Sequence, residues 1–390
     1  MPVDKKQHTT SSTEPLTISP LSSPHAFHEH LREQICQAVQ AVMEEILREE
    51  LTQFLGAEWG ECTNTRRGYR NGAYTRDLAT ASGPIEELHV PRDREGQFHT
   101  QAFERYSRYE PQVAEGLTQM FVAGVSTEKV GDVAQTLIGV APSASTVSRL
   151  NQTLTEQFET WRQRALQAHW RVLYLDGVHF TVRHRDQADS TILLTALGVD
   201  PEGNKEVLAL RACAEESKDG WMDLLQDLRT RGATQVDLIV TDGHDGLLAT
   251  VTALFTATPH QRCVVHKQRN VMNAIPKREQ SAIATELAGI WKSSTKEEAL
   301  TQLMAFKGKY RQMYPEAVRS LMEDEEHLLT FYAFPPVMHR YIRTTNAIES
   351  FFSNVGQRTD QRDAFTTETS CLTIVWATMQ GIRVPKIPVG

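Results

Sequence analysis

Asp176 in "YLDG" and Asp242 in "VTDG" each close a short apolar run, and each is followed by glycine. Runs of that kind read as strands buried on both faces. If the two strands are parallel neighbours, they end at one edge of the sheet and the two carboxylates stand side by side. Such a pair repels itself unless a divalent cation neutralises it. Oxygen-only ligation suits Mg²⁺ or Mn²⁺, and two such ions can clamp the attacking and leaving oxygens of an in-line phosphoryl displacement. A third acid completes the cage. Glu349 in "RYIRTTNAIESFFSNVGQR" is the expected one, near the first turn of a helix capped by Thr344 or Thr345. The alternatives, Glu323, Glu325 and Glu326, lie in a charge run with the pattern of a solvated face.

Downstream of Asp242 comes Cys263-x-x-His266, followed by Lys267, Arg269 and Asn270. No second ligand pair accompanies the Cys-x-x-His, so a buried thiol and a structurally bonded imidazole are expected in preference to zinc. A positioning or substrate-contact role is the alternative. Lys267, Arg269 and Asn270 are expected to open a basic path for DNA, joined by the donors around Glu349: Arg343, Thr344, Asn346 and Arg358. The formal net charge of −8 excludes a chain coated in positive potential, so any such path must be local. It is local: from Arg262 to Arg311 ten bases stand against four acids.

The elements that must hold these residues follow from periodicity. From Trp170 the order is strand, strand, strand, helix, strand, helix, strand, with "RVLYLDG" and "VHFTVRH" read as two strands about an Asp-Gly turn and "HQRCVVH" as the last strand. That is the order of a ribonuclease-H-like mixed sheet, with two strands parallel at its centre. The expected fold is an α/β catalytic core with flanking helices: first part 166–271, an all-helical insertion 272–340, and a C-terminal part 341–390 carrying Glu349. Before it, residues 27–165 read as a mostly helical DNA-binding region. Its first helix covers 27–55. Residues 124–161 form two helices about Gly139, capped by Ser126 and Ser143, which as a helix-turn-helix would offer Ser145, Thr146, Ser148 and Arg149 to a groove. An ordinary helical hairpin is the alternative. Arg66, Arg67, Arg70, Tyr69 and Tyr74 either track a nucleic-acid backbone or decorate a small sheet. Residues 1–26 read as a Ser/Thr/Pro-rich disordered tail without the apolar core of a signal peptide. Five scattered cysteines exclude a disulfide framework, and no window is apolar enough for a membrane span. A cytoplasmic, nucleoid-associated protein is expected.

The blocks "YLDGVHF", "VTDGHDGL", "QRCVVHKQRN" and "IRTTNAIESFF" resemble those of the Mutator-type bacterial insertion-sequence transposases, a family of DDE recombinases, from about Leu51 to Phe365. The resemblance implies that Asp176, Asp242 and Glu349 are the catalytic and metal-binding triad, holding two Mg²⁺ or Mn²⁺ ions. It also implies that Cys263 and His266 match the family's C/D-x-x-H motif, and that the reaction is cleavage of element ends followed by strand transfer. The implied partners are the element's terminal inverted repeats and target DNA, with a homodimer to bring two ends together and with no membrane or small-molecule substrate. Two departures are a lower basicity and the absence of tryptophans in "SLMEDEEHLL". A nuclease of the same fold, or an idle DNA-binding derivative, are the competing expectations.

Overall fold

The computed structural model describes residues 23–103, 107–123, 125–184, 187–359, 367–382 and 384–389. Residues 1–22 of the expected tail lie outside that range. The helix expected from residue 27 already begins at Pro24, because Ser23 caps it: its side chain accepts the Ala26 N–H at 3.2 Å. The chain divides into two compact units, Met1–Gln119 with Ser126–Ala144, and Met120–Val125 with Ser145–Gly390.

In the first unit, α1 (Pro24–Leu55) packs on a hairpin of β1 (Arg70–Thr80) and β2 (Gly83–Asp93). Leu47 joins Leu78, Ile85, Leu88, Val90 and Phe103 in a shared core. Next come α2 (Pro111–Val122) and α3 (Thr127–Ile138), the latter capped by Ser126 and ended by Gly139 as its sequence dictates. The second unit takes in the end of α2 from Met120 and then α4 (Ala144–Arg162), so the helix pair expected as a helix-turn-helix straddles the division between the units.

The centre of the second unit is a five-stranded mixed sheet. Its strands are β4 (Val172–His184), β5 (Gln187–Val199), β6 (Lys205–Cys213), β8 (Ile239–Thr241) and β9 (His260–Arg262), in the order β6-β5-β4-β8-β9. A two-residue parallel pair, β3 (His169–Trp170) and β7 (Gln235–Val236), stands outside it. β4, β8 and β9 run parallel, while β5 and β6 are antiparallel to their neighbours. Between them come α5 (Lys218–Thr230) and α6 (Asp245–Leu254), and α7 (Val264–Asn273) follows β9. The expected element order is observed, with three corrections. The Asp-Gly at 176–177 is no turn but the middle of one 13-residue strand, because β5 pairs with β4 along its whole length. Three strands, not two, are parallel. And "HQRCVVH" is a strand only to Arg262; Cys263 caps α7.

The segment expected as an all-helical insertion is helical: α8 (Lys277–Trp291), α9 (Lys296–Tyr310), α10 (Pro315–Glu323), α11 (Glu325–Leu328), a 3-10 turn at Thr330–Ala333, and α12 (Pro336–Ile342). The chain then returns through α13 (Asn346–Thr359) and α14 (Glu368–Gln380).

The two-residue period of the central strands sorts their side chains into two layers. Leu173, Leu175 and Ile239 face Trp221, Leu224, Leu225 and Leu228 of α5 and Leu247 and Val251 of α6. Val172, Tyr174, Leu238 and Val240 belong to the opposite layer, with Phe158 of α4, Ile348 and Phe352 of α13, and Ile374 and Val375 of α14. Nearly all of these are fully buried. A one-residue slip in either strand would exchange the layers, which is why the register is unambiguous.

Candidate active site

That register carries the acids. The β4–β8 pairing pairs Leu173 with Ile239, Tyr174 with Val240 and Leu175 with Thr241. Asp176 and Asp242 are the next residues on each strand, and by parity both belong to the layer of Val172, Tyr174, Leu238 and Val240, which is the layer of α13. Asp176 therefore sits beside the end of β8, although its own strand continues past it.

Asp176 is 8% exposed. Its Oδ1 accepts the Gly177 N–H at 2.9 Å. Burial, reinforced by the Asp242 charge and more weakly by Glu349, pushes its carboxyl up to about 7, with His266 pulling the other way. Asp242 is half-buried and its Oδ1 accepts the His244 N–H at 3.1 Å, so the turn into α6 orients it. The two following glycines have different reasons to be glycine. At Gly243, φ is +86° and a Cβ would lie 2.4 Å from the Arg262 guanidinium carbon. At Gly177 a Cβ would crowd Ile192 and come within 3.2 Å of the Glu216 carboxylate.

Glu349 stands in the first turn of α13, where the helix N-terminus favours a negative charge. Its N–H bonds back to the Thr345 carbonyl at 3.1 Å. The Thr345 hydroxyl is the hub of a small cluster: it lies 2.9 Å from Glu349 Oε1, 3.3 Å from Cys263 Sγ and 3.4 Å from His266 Nδ1. His266 Nε2 is 3.6 Å from the same Glu349 oxygen. Cys263 itself is fully buried and pinned to the end of β8 by its N–H, which bonds to the Thr241 carbonyl at 2.7 Å. Burial alone would raise the Cys263 thiol, but hydrogen bonds from His266 and Thr345 outweigh it and hold the thiol below its ordinary value. The same Cys263 contact, against an opposing desolvation, raises His266. The Cys-x-x-His thus spans a strand-to-helix junction and braces Glu349 against β8.

Among the described residues, Cys263, His266 and Glu349 are the only set of three such side chains whose ligand atoms all lie within 4.8 Å of one another. With one soft sulfur, one imidazole and one carboxylate already joined through Thr345, the set has the makings of a bonded scaffold. The three acids on the α13 side offer oxygen alone, and their uncompensated charge, felt most at Asp176, is the environment a hard divalent cation relieves.

A fourth carboxylate lies close by. Glu216, just before α5, is half-buried; its Oε1 accepts the Trp221 indole N–H at 2.9 Å and lies 4.0 Å from His244 Nδ1. Burial raises its carboxyl, and the Asp242 charge adds to the rise. Sequence reasoning missed it, since "AEESKDG" resembles an ordinary charged turn; its only local signal is Trp221 five residues on, which needs a buried acceptor.

The expected DNA contacts divide. Arg269, Asn270, Asn346 and Arg149 are exposed and available. Lys267 is not: 2% exposed, it is buried in an ion pair with Asp324, which also binds Arg262 at 2.7 Å. A lysine inside the core needs such a partner, and the one acid of "EDEEH" that is buried supplies it. Thr344 is also buried, and its hydroxyl accepts the Asn346 N–H at 3.4 Å as a helix cap. Arg343 is half-buried on the Trp291 carbonyl at 2.5 Å. Arg358 lies on α13, but its side chain is outside the described residues. In the first unit, Arg67, Tyr69 and Tyr74 are exposed, whereas Arg70 is held by Thr52 and Ala57 and Arg66 by Gly68 and Glu61. Among the described residues no helix is long and apolar enough to cross a membrane.

The family described as "Transposase, Mutator family" matches residues 16–383. The transposase for insertion sequence element ISRM5 of Rhizobium meliloti is 36% identical over 87% of this chain and 85% of its own length. That for IS905 of Lactococcus lactis is 31% identical over 85% and 84%, and that for IS256 in transposon Tn4001 of Staphylococcus aureus is 29% identical over 88% of both chains. The match runs through both units and covers nearly the whole chain, so the chain belongs to the Mutator family of transposases.

Proposed function

We propose that this transposase cleaves the ends of its own element and transfers the freed 3′ ends to new DNA by DDE chemistry on a ribonuclease-H-like core. Asp176, Asp242 and Glu349 are the metal-binding residues in this reading. The observation that carries it is their meeting on one face of the sheet: two from adjacent parallel strands in register, one from the first turn of the helix that packs on β4. The strand order β6-β5-β4-β8-β9, with its antiparallel and parallel halves, supports the fold assignment.

Mg²⁺ or Mn²⁺ bound there, two ions when the site is full, would neutralise the acids and polarise the scissile phosphate. The chain's own groups do the rest. Asp176 presents its oxygens from within the central strand β4 and Asp242 from just past the end of its neighbour β8, each oriented by a backbone N–H. Thr345 and His266 hold Glu349, as supporting residues do at metal sites. Arg269, Asn270 and Asn346 are the exposed donors left to position DNA strands, and Arg149 on α4 is the groove contact. A homodimer brings two ends together.

The test is expression of the reading frame with its native flanking DNA, followed by sequencing of new junctions. Wild type is expected to give joined ends or insertions, and Glu349→Gln and Asp242→Asn none. Junctions that persist in either variant would remove that residue from the triad.

A further inference from the structure

α1 has two apolar faces, and among the described residues its own unit covers only one. Leu47, Leu51 and Leu55 are buried, with Val39 and Met43 packed beside Leu47 on the hairpin core. On the opposite side Phe27, Leu31, Ile35, Val42 and Ile46 are 42–55% exposed, and Ala38 is exposed among them. At 3.6 residues per turn these six fall in one stripe about 28 Å long. Isolated exposed hydrophobics are ordinary; a continuous row of them is a contact surface.

The row has a symmetry of its own. Its members, at 27, 31, 35, 38, 42 and 46, are spaced four, four, three, four and four, the same in both directions. The central steps are those of a coiled-coil seam. Laid antiparallel on a second α1, Phe27 meets Ile46, Leu31 meets Val42 and Ile35 meets Ala38, and each contact occurs twice. That is the self-complementarity an isologous two-fold interface requires. Charge selects the same arrangement. The antiparallel register sets Glu45 opposite His28, whereas the parallel one sets Glu45 against Glu45 and Arg32 against Arg32.

We infer that the exposed face of α1 is the site at which two copies of this chain associate, through an antiparallel helix pair about a two-fold axis between residues 36 and 37. The proposed function supplies the purpose, a dimer that holds two DNA ends. The association does not depend on it, since neither DNA nor the carboxylate site takes part.

The experiment is sedimentation of the purified full chain without DNA or divalent metal, at several concentrations. Wild type is expected at twice the 44.0 kDa chain mass, and Ile35→Asp/Val42→Asp at the monomer mass with unchanged helicity, because both sites face solvent in the single chain. A monomeric wild type, or a double variant that stays dimeric, overturns the inference. Geometry is read by mild oxidation with wild type as the reference: His28→Cys/Glu45→Cys is expected to form an inter-chain disulfide and Glu45→Cys alone none. Cross-linking of Glu45→Cys alone would mean a parallel pair and sink the antiparallel assignment. A dimeric wild type that forms no junctions in cells would count against the proposed chemistry, and leave this interface standing.

Discussion

Replacing Asp176 by Asn should make the metal-free protein more stable, and by an amount that depends on pH. The native carboxyl is pushed from 3.8 to about 7. The shift is about 3 units, and at 1.36 kcal/mol per unit it is worth roughly 4 kcal/mol. Because the folded value is raised, the sign is fixed. Below about pH 4 both states hold the proton and there is no penalty. Between about 4 and 7 the unfolded chain releases a proton that the native state keeps, so stability falls as pH rises, and above about 8 the whole penalty is present. Asn cannot ionise, and it retains an oxygen for the Gly177 N–H. Asp176→Asn is therefore expected to match wild type near pH 4 and to exceed it by about 4 kcal/mol at pH 8 in EDTA. Glu216, also raised, leaves a shallower slope of the same sign in the variant. The assay is denaturant unfolding from pH 4 to 8.5, followed by tryptophan fluorescence, which reports mainly the second unit: Trp161, Trp170, Trp221, Trp291 and Trp376 lie there, and Trp59 is the one elsewhere. Mn²⁺ should then stabilise wild type at pH 8 and have little effect on the variant. Parallel pH profiles for the two proteins would refute the claim that uncompensated charge at the acid cluster opposes folding.

Three further outcomes follow from named contacts. Thr345→Val removes the hydroxyl that joins Glu349, Cys263 and His266; metal affinity and junction formation should fall about 10- to 100-fold, measured by calorimetry and junction sequencing, whereas Thr345→Ser should restore most of both. Lys267→Met leaves Asp324 with Arg262 as its remaining partner and should cost about 1.5–3 kcal/mol in denaturant unfolding, while Arg269→Ala, at an exposed site, should leave stability within about 0.5 kcal/mol and weaken DNA binding in a salt-dependent manner. Glu216→Gln keeps the Trp221 acceptor but removes a charge near Asp242; the affinity for Mn²⁺ should drop severalfold, and an unchanged affinity would exclude Glu216 from the ion's surroundings.

The local signals were sufficient where one residue's environment is set by its neighbours in the chain. The period of three and four in 27–55, the Ser126 cap with its Gly139 stop, and the apolar runs before Asp176 and Asp242 named the elements, because helices and buried strands impose their period on side-chain burial. Four separated blocks likewise pointed to the family and, through it, to Asp176, Asp242 and Glu349 as the acids to propose. What local signals cannot convey is which groups meet across the fold. Lys267 and Arg269 are two residues apart in one basic run, yet one is buried against Asp324 and the other faces solvent, since helix α7 turns them to opposite sides. The Asp-Gly at 176 has the signature of a turn and is held straight by thirteen residues of pairing with β5. Glu216 carries no motif, and the role of Thr345 as the link between Glu349, Cys263 and His266 is invisible in its own block, because both depend on elements remote in sequence that close on the same part of the sheet. The sequence by itself determined the family, most of the elements and which three acids to propose; only the tertiary structure decided which of the surrounding charges are free to act and which are spent inside the fold, because burial and pairing are properties of the packed molecule.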